Sequence, residues 1–249
     1  MIILKNREEI ERMKKPGEVM KELFEEIDSK AIVRVGVTTK DIDLFIENFI
    51  RKHSAIPSFL NYRGFPASAC ISINDTVVHG IPNDYVIKEG DIVSIDVGVY
   101  MDGYHADAAR TYIMNVENER IVKFVETAKE AFFEALKVCK IDMRIGDLSH
   151  SIQRFVEERG FNVVRDFYGH GIGKDLHEDP VVPNYGKPNR GPRIKCGMTL
   201  AIEPMISMGS PFIKVMDDGW TAKTIDGSLT AHYENTVAIT TNGPILLTL

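Results

Sequence analysis

The segment DIVSIDVGVYMDGYHADAART, residues 91–111, decides how this chain folds. In its first half apolar residues alternate with others, which predicts a β-strand with one apolar face. The apolar face carries Val93, Ile95, Val97 and Val99, and the opposite face carries Ile92, Ser94, Asp96 and Gly98. An ionisable carboxylate therefore lies in the middle of a strand that is otherwise suited to a core.

The pair Asp102-Gly103 is typical of a two-residue hairpin turn, and this turn fixes how the two strands pair. Asp96 then lies opposite Ala109, which makes Asp107 its diagonal neighbour on the same face. Two carboxylates in one apolar space repel each other unless one is protonated or a cation lies between them. The hairpin therefore predicts a divalent metal ion.

The composition indicates a globular protein. The chain has 249 residues, 44% of them hydrophobic and 27% charged, which suits one large domain or two small ones. Its net charge of -6 disfavours electrostatic binding to nucleic acid. We therefore expect no specific nucleic-acid recognition.

The cysteines and the apolar runs indicate the cellular compartment of the protein. Cys70, Cys139 and Cys196 are widely spaced and form no CxxC pair, so neither a disulfide framework nor a thiolate zinc site is indicated. The apolar run at the N-terminus is too short for a signal peptide, and no stretch approaches the roughly 18 apolar residues of a membrane span. We therefore expect a cytoplasmic protein without membrane contact.

Helical periodicity is present in four parts of the chain. Residues 7–31 predict two consecutive helices, because Pro16-Gly17 interrupts the pattern. A further helix is predicted to begin near Thr38 or Thr39, either of which can cap it, and to end near residue 53. Two more are predicted at residues 119–140 and 146–159.

An internal repeat relates the two halves of the chain. The pattern Lys-x-Gly-x-x-x-x-Ile-acid occurs at residues 88–96 and again at 195–203, and His-Gly-Ile occurs at 79–81 and again at 170–172. Residues 37–115 and 143–240 therefore look like two copies of helices followed by an acid-bearing hairpin. If the copies pack about a pseudo-twofold axis, their acids converge on that axis.

Two further acids and a histidine extend the predicted metal site. Glu203 and Glu234 lie, like Asp96 and Asp107, within apolar strand patterns, and His170 lies between two glycines, which indicates a close backbone approach to something bound. Carboxylates with an imidazole suit manganese, iron, cobalt or zinc. Because four acids carry about four negative charges, we predict two divalent ions.

With this site the sequence resembles the type I methionine aminopeptidases, which have the pita-bread metallopeptidase fold. The resemblance covers nearly the whole chain. The motifs that carry it are ISIN-x-x-V-x-HGIP (71–82), Asp96, DGYHAD (102–107), GHGIG-x-x-x-HE-x-P (169–180), Ile202-Glu203-Pro204 and Glu234.

The resemblance implies an α+β fold, a single catalytic domain of residues 1–249 with helices packed on a curved, mainly antiparallel sheet, and a role for each motif residue. The implied metal ligands are Asp96, Asp107, His170, Glu203 and Glu234. The implied catalytic residues are Glu203, His79 and His177. The implied methionine pocket comprises Phe59, Tyr62, Phe65, Cys70, His79, Leu176 and Trp220, with His177 also contacting substrate.

The implied activity is removal of the initiator methionine from nascent proteins when the second residue is small, with two divalent ions (Co, Mn, Fe or Zn) and a monovalent cation near Asn74. The alternatives are a proline-specific, prolidase-like peptidase and a non-catalytic pita-bread binding protein. We expect nascent polypeptide N-termini as partners, a transient ribosome contact and a monomer.

Some residues depart from the family pattern or stay outside the predicted site. Phe59 stands where bacterial members often have Cys, and Leu176 where they often have Phe, which bears on pocket selectivity. The remaining histidines, His53, His105, His150 and His232, are predicted to be structural or to lie on the surface.

Overall fold

The computed structural model describes all residues, 1–249. Its helices are α1 (Arg7–Ser29), α2 (Thr39–Lys52), α3 (Glu119–Val138) and α4 (Ile145–Glu157), with a short 3₁₀ helix at Tyr62–Gly64. Its strands are β1 (Ile56–Pro57), β2 (Ala69–Ile73), β3 (Thr76–Val78), β4 (Ile92–Met101), β5 (Tyr104–Ile113), β6 (Asn162–Val163), β7 (Tyr168–Gly171), β8 (Glu178–Pro183), β9 (Thr199–Ile202), β10 (Met205–Ser207), β11 (Ile213–Val215), β12 (Ala222–Thr224), β13 (Thr230–His232), β14 (Glu234–Thr240) and β15 (Gly243–Leu246).

Strands β4 and β5 form the predicted hairpin. Asp102 and Gly103 both have positive φ, 55° and 85°, as the favoured two-residue turn requires. Asp96 pairs with Ala109, and Gly98 pairs with Asp107, so the predicted register is confirmed. The two carboxylates therefore project from the same face of adjacent strands.

The main sheet has nine strands and is antiparallel at every pairing. Its order is β1-β4-β5-β14-β9-β7-β8, with β2 also on β4 and β15 also on β14. The pairing of β5 with β14 joins strands from the two halves of the chain. Two three-stranded sheets, β13-β10-β6 and β11-β12-β3, complete the β-structure.

The helices cover the sheet in two pairs. One core lies between α1, α2 and strands β2 and β4 and includes Met20, Leu23, Ile42, Ile46, Ile50, Val93, Ile95 and Val97. The other lies between α3, α4 and strands β9 and β14 and includes Phe124, Phe132, Leu148, Ile152, Leu200, Ile202 and Val237. The apolar face of β4 is therefore buried as its alternation predicts.

Helix α1 contradicts one prediction, because it continues through Pro16-Gly17 as a single helix. A proline inside a helix costs roughly 3 kcal/mol, but packing of an apolar face outweighs such local preferences. Met13, Pro16 and Gly17 are all buried. A Cβ on Gly17 would lie 2.0 Å from the carbonyl oxygen of Leu247, so this glycine permits close packing of the C-terminal segment.

The other three helices are confirmed to within about two residues at either end. The Thr38 hydroxyl accepts a hydrogen bond from the backbone N–H of Asp41 at 3.1 Å and caps α2. None of the helices combines the length and the apolarity that crossing a bilayer requires.

A buried ion pair ties the N-terminal segment to the start of β8. Lys5 Nζ donates to Glu178 Oε2, and the two side chains are only 2% and 3% exposed. We expect Lys5→Met to lower the free energy of unfolding by about 3–5 kcal/mol, because it leaves the Glu178 carboxylate buried without its partner.

Urea unfolding checks this expectation against a matched control. Lys14 pairs with Glu11 on the surface, where the side chains are 40% and 55% exposed, so Lys14→Met should change stability by about 1 kcal/mol or less. Equal effects of the two substitutions would show that the Lys5 pair contributes no more than a surface pair.

Candidate metal centre and substrate cavity

A cavity of about 300 Å³ collects the side chains that the sequence singles out. All of the predicted ligands, catalytic residues and pocket residues line it: Phe59, Tyr62, Phe65, Cys70, His79, Asp96, Asp107, His170, Leu176, His177, Glu203, Trp220 and Glu234. The lining also includes residues that the sequence did not indicate, among them Val78, Phe167 and Met205. Strands and loops from both halves of the chain therefore form one site.

Asp96 and Asp107 enter the cavity from the hairpin. The Oδ1 atom of each is buried and has no hydrogen-bond partner. Burial raises the pKa of Asp96 to about 7. Burial, reinforced by the charges of Glu234 and Asp96, raises the pKa of Asp107 well above its usual range. Both carboxyls therefore tend to keep a proton unless a cation binds them.

Glu203 and Glu234 approach the same space from neighbouring strands. Glu203 directly follows β9, and Glu234 begins β14 opposite Ala109. Burial raises the pKa of Glu203 well above normal, and the charges of Asp96 and Asp107 add to the effect. Burial likewise raises the pKa of Glu234, and its Oε1 has no partner. Four acids therefore share one buried volume.

His170 presents one ring nitrogen to these acids. Its Nδ1–H donates to the carbonyl oxygen of Gly171 at 2.8 Å, which leaves the lone pair on Nε2. Nε2 lies 3.7 Å from Glu203 Oε1 and 3.9 Å from Asp107 Oδ2. A backbone bond of this kind is how proteins orient a histidine that binds a metal.

The glycines beside His170 serve the packing of the sheet. A Cβ on Gly169 would lie 2.4 Å from the Ala201 carbonyl oxygen, and a Cβ on Gly171 would lie 2.2 Å from that of Asp179. The predicted close approach is therefore real, but its partners are neighbouring strands and no bound group is needed to explain it.

The donor atoms fit divalent cations. Two sets of three residues, Asp107-His170-Glu234 and Asp96-His232-Glu234, each have ligand atoms within 4.8 Å of one another. The sets share Glu234 and combine carboxylate oxygen with imidazole nitrogen, which first-row transition metals accept. Positive charge between these groups would also satisfy carboxylate oxygens that otherwise have no partner.

His232, which the sequence predicts to be structural or to lie on the surface, is buried beside the acids of the cavity. Its side chain is 2% exposed, and its Nε2 lies 3.6 Å from Glu234 Oε2 and 3.7 Å from Glu203 Oε2. The spacing contained a signal, because residues two apart in an extended segment point to the same side, and His232 precedes Glu234 by two.

His177 lies beside the acids on the loop before β8. Its ring is 4.2 Å from that of His170, and its Nδ1 is 2.9 Å from the Tyr62 hydroxyl. Desolvation and the nearby His170 lower the pKa of His177, so the ring is neutral near pH 7. When Tyr62 donates to Nδ1, the proton of His177 is on Nε2, which can then donate to a substrate oxygen.

His79 occupies a strained backbone position in the cavity wall. Its φ of 58° is in the left-handed region, which costs a non-glycine residue about 1–3 kcal/mol and is often found at functional sites. Its ring packs edge-on against Phe167 at 5.2 Å and Trp220 at 6.0 Å. Burial lowers the pKa of His79, so this ring too is neutral near pH 7.

The apolar part of the lining forms one cluster. Phe59, Phe65, Cys70 and Leu176 are buried in it, and Tyr62 and Trp220 pack against it. Phe65 meets Trp220 edge-on at 5.2 Å. A Cβ on Gly98 would lie 2.7 Å from the Phe59 ring, so the ring of Phe59 lies directly against the hairpin that carries the aspartates.

Comparisons with known proteins agree with this geometry. The profile of metallopeptidase family M24 matches residues 11–241. A methionine aminopeptidase of Clostridium perfringens is 53% identical over 249 residues, which are 100% of this chain and 99% of that protein. The crystal structure of a methionine aminopeptidase from Thermotoga maritima is 45% identical, covers 100% of this chain and 99% of its own, and superposes with a TM-score of 0.96.

A prolidase from Pyrococcus furiosus is more distant. It is 25% identical with a TM-score of 0.78, and the match covers 99% of this chain but 65% of the prolidase. The resemblance to methionine aminopeptidases and the pita-bread fold are thus confirmed, and the prolidase-like alternative is disfavoured. With a profile match over most of its length and relatives of this similarity, the chain belongs to metallopeptidase family M24.

Proposed function

We propose that this protein is a methionine aminopeptidase that hydrolyses the bond after the N-terminal methionine of nascent polypeptides when the second residue is small. The observation that carries the proposal is one cavity in which four acids and an imidazole adjoin an aromatic, sulfur-containing pocket. The similarity to named methionine aminopeptidases over the whole chain supports it.

The acids and His170 are the proposed ligands of two divalent ions, for which cobalt, manganese, iron and zinc are all suited to the donor set. The proposed ligands are Asp96, Asp107, His170, Glu203 and Glu234. When bound, such ions supply the positive charge that acidifies a water molecule and polarises a peptide carbonyl. The unpartnered carboxylate oxygens support this assignment.

Glu203 is the proposed proton carrier. It is the acid that directly follows β9, and its side chain is 12% exposed, whereas that of Glu234 is 2% exposed. A carboxylate that reaches the cavity can accept a proton from the attacking water and pass it to the leaving amine. The raised pKa of Glu203 supports a role in which the carboxyl holds the proton between these steps.

His177 and His79 are the proposed groups that act on the substrate amide. Both rings are neutral near pH 7, so each can donate one N–H to an oxygen without carrying charge. Donors fixed in position stabilise the negative charge that develops on a carbonyl oxygen during attack. The Tyr62 hydroxyl holds the ring of His177 in place for this role.

The aromatic cluster is the proposed pocket for the methionine side chain. A flexible thioether packs well against aromatic rings, whereas a charged or β-branched side chain would meet desolvation or shape penalties. One misplaced methylene in an apolar pocket costs about 1–3 kcal/mol. Norleucine should therefore be accepted slowly, and leucine more slowly.

Phe59 should narrow this pocket. We expect Phe59→Cys to reduce the ratio of kcat/KM for methionine over leucine by roughly tenfold, because the smaller side chain leaves room for a branched one. The comparison uses Met-Ala-Ser and Leu-Ala-Ser with both proteins, and Phe133→Leu on α3, outside the cavity, is the control. An unchanged ratio in Phe59→Cys would remove Phe59 from the selectivity assignment.

A peptide panel tests the proposed function itself. Met-Ala-Ser should be hydrolysed rapidly, Met-Lys-Ser poorly because the second residue must lie near the acids and His79, and X-Pro dipeptides not at all. If the protein hydrolyses X-Pro dipeptides but not Met-Ala-Ser, the prolidase-like alternative would be favoured. Binding of these peptides without any turnover would favour the non-catalytic binding protein.

We further infer that residues 1–249 form a single catalytic domain with the repeats at 37–115 and 143–240. The main sheet supports a single domain, because β5 of the first half pairs with β14 of the second half. Corresponding helices also begin alike, since Asp41 and Asp147 each bond back to the residue that precedes the helix.

The remaining proposals concern the surroundings of the site. A monovalent cation near Asn74 is supported by the carbonyl oxygens of Asn74 and Thr76, which converge on the Thr230 hydroxyl at 2.9 and 2.8 Å.

We also propose a monomeric, cytoplasmic enzyme that meets its substrates through a transient ribosome contact. The exposed Lys14 and Lys15 are the candidate contact residues, although they already pair with Glu11 and Asp102.

A further inference from the structure

His232 is a buried imidazole without a hydrogen-bond partner on Nε2. It ends strand β13, where it pairs with Met205 of β10, and its side chain is 2% exposed. Nε2 is fully buried and no protein group donates to it or accepts from it. A buried polar atom left without a partner is costly, so its presence in this chain calls for a group that satisfies it.

The neighbours of Nε2 are carboxylates at distances that do not suit direct hydrogen bonds. Nε2 lies 3.6 Å from Glu234 Oε2 and 3.7 Å from Glu203 Oε2, beyond the usual limit of about 3.2 Å. Ligand atoms that each lie about 2.0–2.2 Å from one ion are themselves separated by roughly 3–3.6 Å. The distances from Nε2 to these carboxylate oxygens are therefore close to those between two ligand atoms of one bound ion.

The same atoms belong to a three-residue set that matches the one around His170. His232 joins Asp96 and Glu234, and His170 joins Asp107 and Glu234, with the ligand atoms of each set within 4.8 Å of one another. Each set therefore has one imidazole, one aspartate and the shared Glu234.

We propose that His232 Nε2 is a ligand of the ion held by Asp96 and Glu234, in addition to the five ligands assigned above. The inference rests on the two-ion site of the proposed function and gives each ion one nitrogen donor. Nitrogen donors favour cobalt and zinc over manganese, which prefers oxygen. His232 should therefore shift the preference of one ion site away from manganese.

Calorimetric titration of the chelator-stripped protein with Co²⁺ and with Mn²⁺ tests this without any activity measurement. Wild-type protein should bind two ions. His232→Gln should weaken one of the two Co²⁺ sites by at least about tenfold, since even groups that only orient a ligand contribute roughly 10- to 100-fold. The other Co²⁺ site should be unchanged, and the loss for Mn²⁺ should be smaller.

A matched control is His105→Gln, because His105 is also a largely buried imidazole, but its Nδ1 bonds to Ser58 Oγ at 2.8 Å and it belongs to neither three-residue set. Both Co²⁺ sites of His105→Gln should keep their wild-type affinities. Far-UV circular dichroism of each metal-free variant shows whether it folds.

Cobalt-edge X-ray absorption of the two-ion wild-type protein decides the question even if His232→Gln does not fold. It should count about two imidazoles per protein, one for each ion. A count of one, or a folded His232→Gln with both wild-type affinities, would overturn the assignment of His232 while leaving the proposed function intact. Wild-type protein that binds at most one ion would contradict the two-ion site and this inference together.

Discussion

Glu203→Gln is expected to lower kcat by about 10²- to 10⁴-fold, the range that a positioned proton carrier contributes. Glutamine keeps the length of the side chain and one oxygen, but it can neither accept a proton from water nor carry a negative charge. The substitution therefore removes the proposed base and one ligand charge while it preserves the shape of the cavity.

The effect should fall on turnover more than on substrate affinity. The aromatic cluster that we propose as the methionine pocket contains Phe59, Phe65 and Leu176 and does not include Glu203. A group that acts only as the water attacks lowers kcat and kcat/KM together, whereas a group that binds substrate in the ground state raises KM. We thus expect KM for Met-Ala-Ser to change little.

Elemental analysis of the assayed protein separates the two roles of Glu203. If the ligand role dominates, excess Mn²⁺ or Co²⁺ should restore much of the lost activity, and if the proton role dominates, fully loaded protein should remain inactive. Glu126→Gln, an exposed change on α3, is the control. Fully loaded Glu203→Gln with turnover near that of the control would exclude Glu203 as the base.

The hairpin shows which parts of the site can be predicted from sequence. The Asp102-Gly103 turn and the strand period of two fix the register locally, so the diagonal placement of Asp96 and Asp107 follows from residues within one short segment. The capped start of α2 is predictable for the same reason, because Thr38 and Asp41 bond to each other.

Features that depend on distant parts of the chain were not predictable in this way. Pro16-Gly17 indicates a break, but α1 continues because its apolar face, which includes both residues, is buried against distant parts of the chain such as Leu247. Phe167 and Met205 enter the cavity through contacts between strands and loops that no local period reports.

His232 is an intermediate case. Its spacing to Glu234 placed the two side chains on one side of the chain, but β13 ends at His232 and β14 begins at Glu234, so the two residues belong to different sheets. The sequence pattern of one strand could not establish that Nε2 would lie within 4 Å of two carboxylates. The register between strands established it.

Removal of the divalent ions is expected to abolish turnover and to destabilise the folded protein. Without them, four acids with raised pKa values share one buried volume, and no cation is left to compensate them. Ions that bind only the folded state stabilise it by about 2.7 kcal/mol each at a hundred times their Kd. For a chain of this size two ions should raise Tm by roughly 10–20 °C.

The ion-free protein should also show a characteristic dependence on pH. Burial raises the pKa of Asp96 to about 7, whereas an aspartate in the unfolded chain titrates near 3.9. The pKa values of the other three acids are raised as well, so above about pH 6.5 the folded state holds protons that the unfolded chain has released. Below about pH 6.5 the buried histidines of the site, whose pKa values are lowered, bind fewer protons than in the unfolded chain and oppose this effect. The free energy of unfolding should therefore fall as pH rises above about 6.5. Bound ions keep the carboxylates ionised in the folded state and should remove or reverse this slope.

Chelator-treated protein, checked by elemental analysis, is the material for both measurements. Turnover of Met-Ala-Ser should disappear and return on addition of Mn²⁺ or Co²⁺. Thermal unfolding at a series of pH values above about 6.5 should show the ion-free protein losing stability as pH rises. The control is again Glu126→Gln, which removes an exposed acid on α3 outside the cavity and should alter neither result. The acid cluster without ions should be inactive, and its Tm should depend on pH. Metal-free protein that is fully active and has a pH-independent Tm would therefore contradict the dinuclear site.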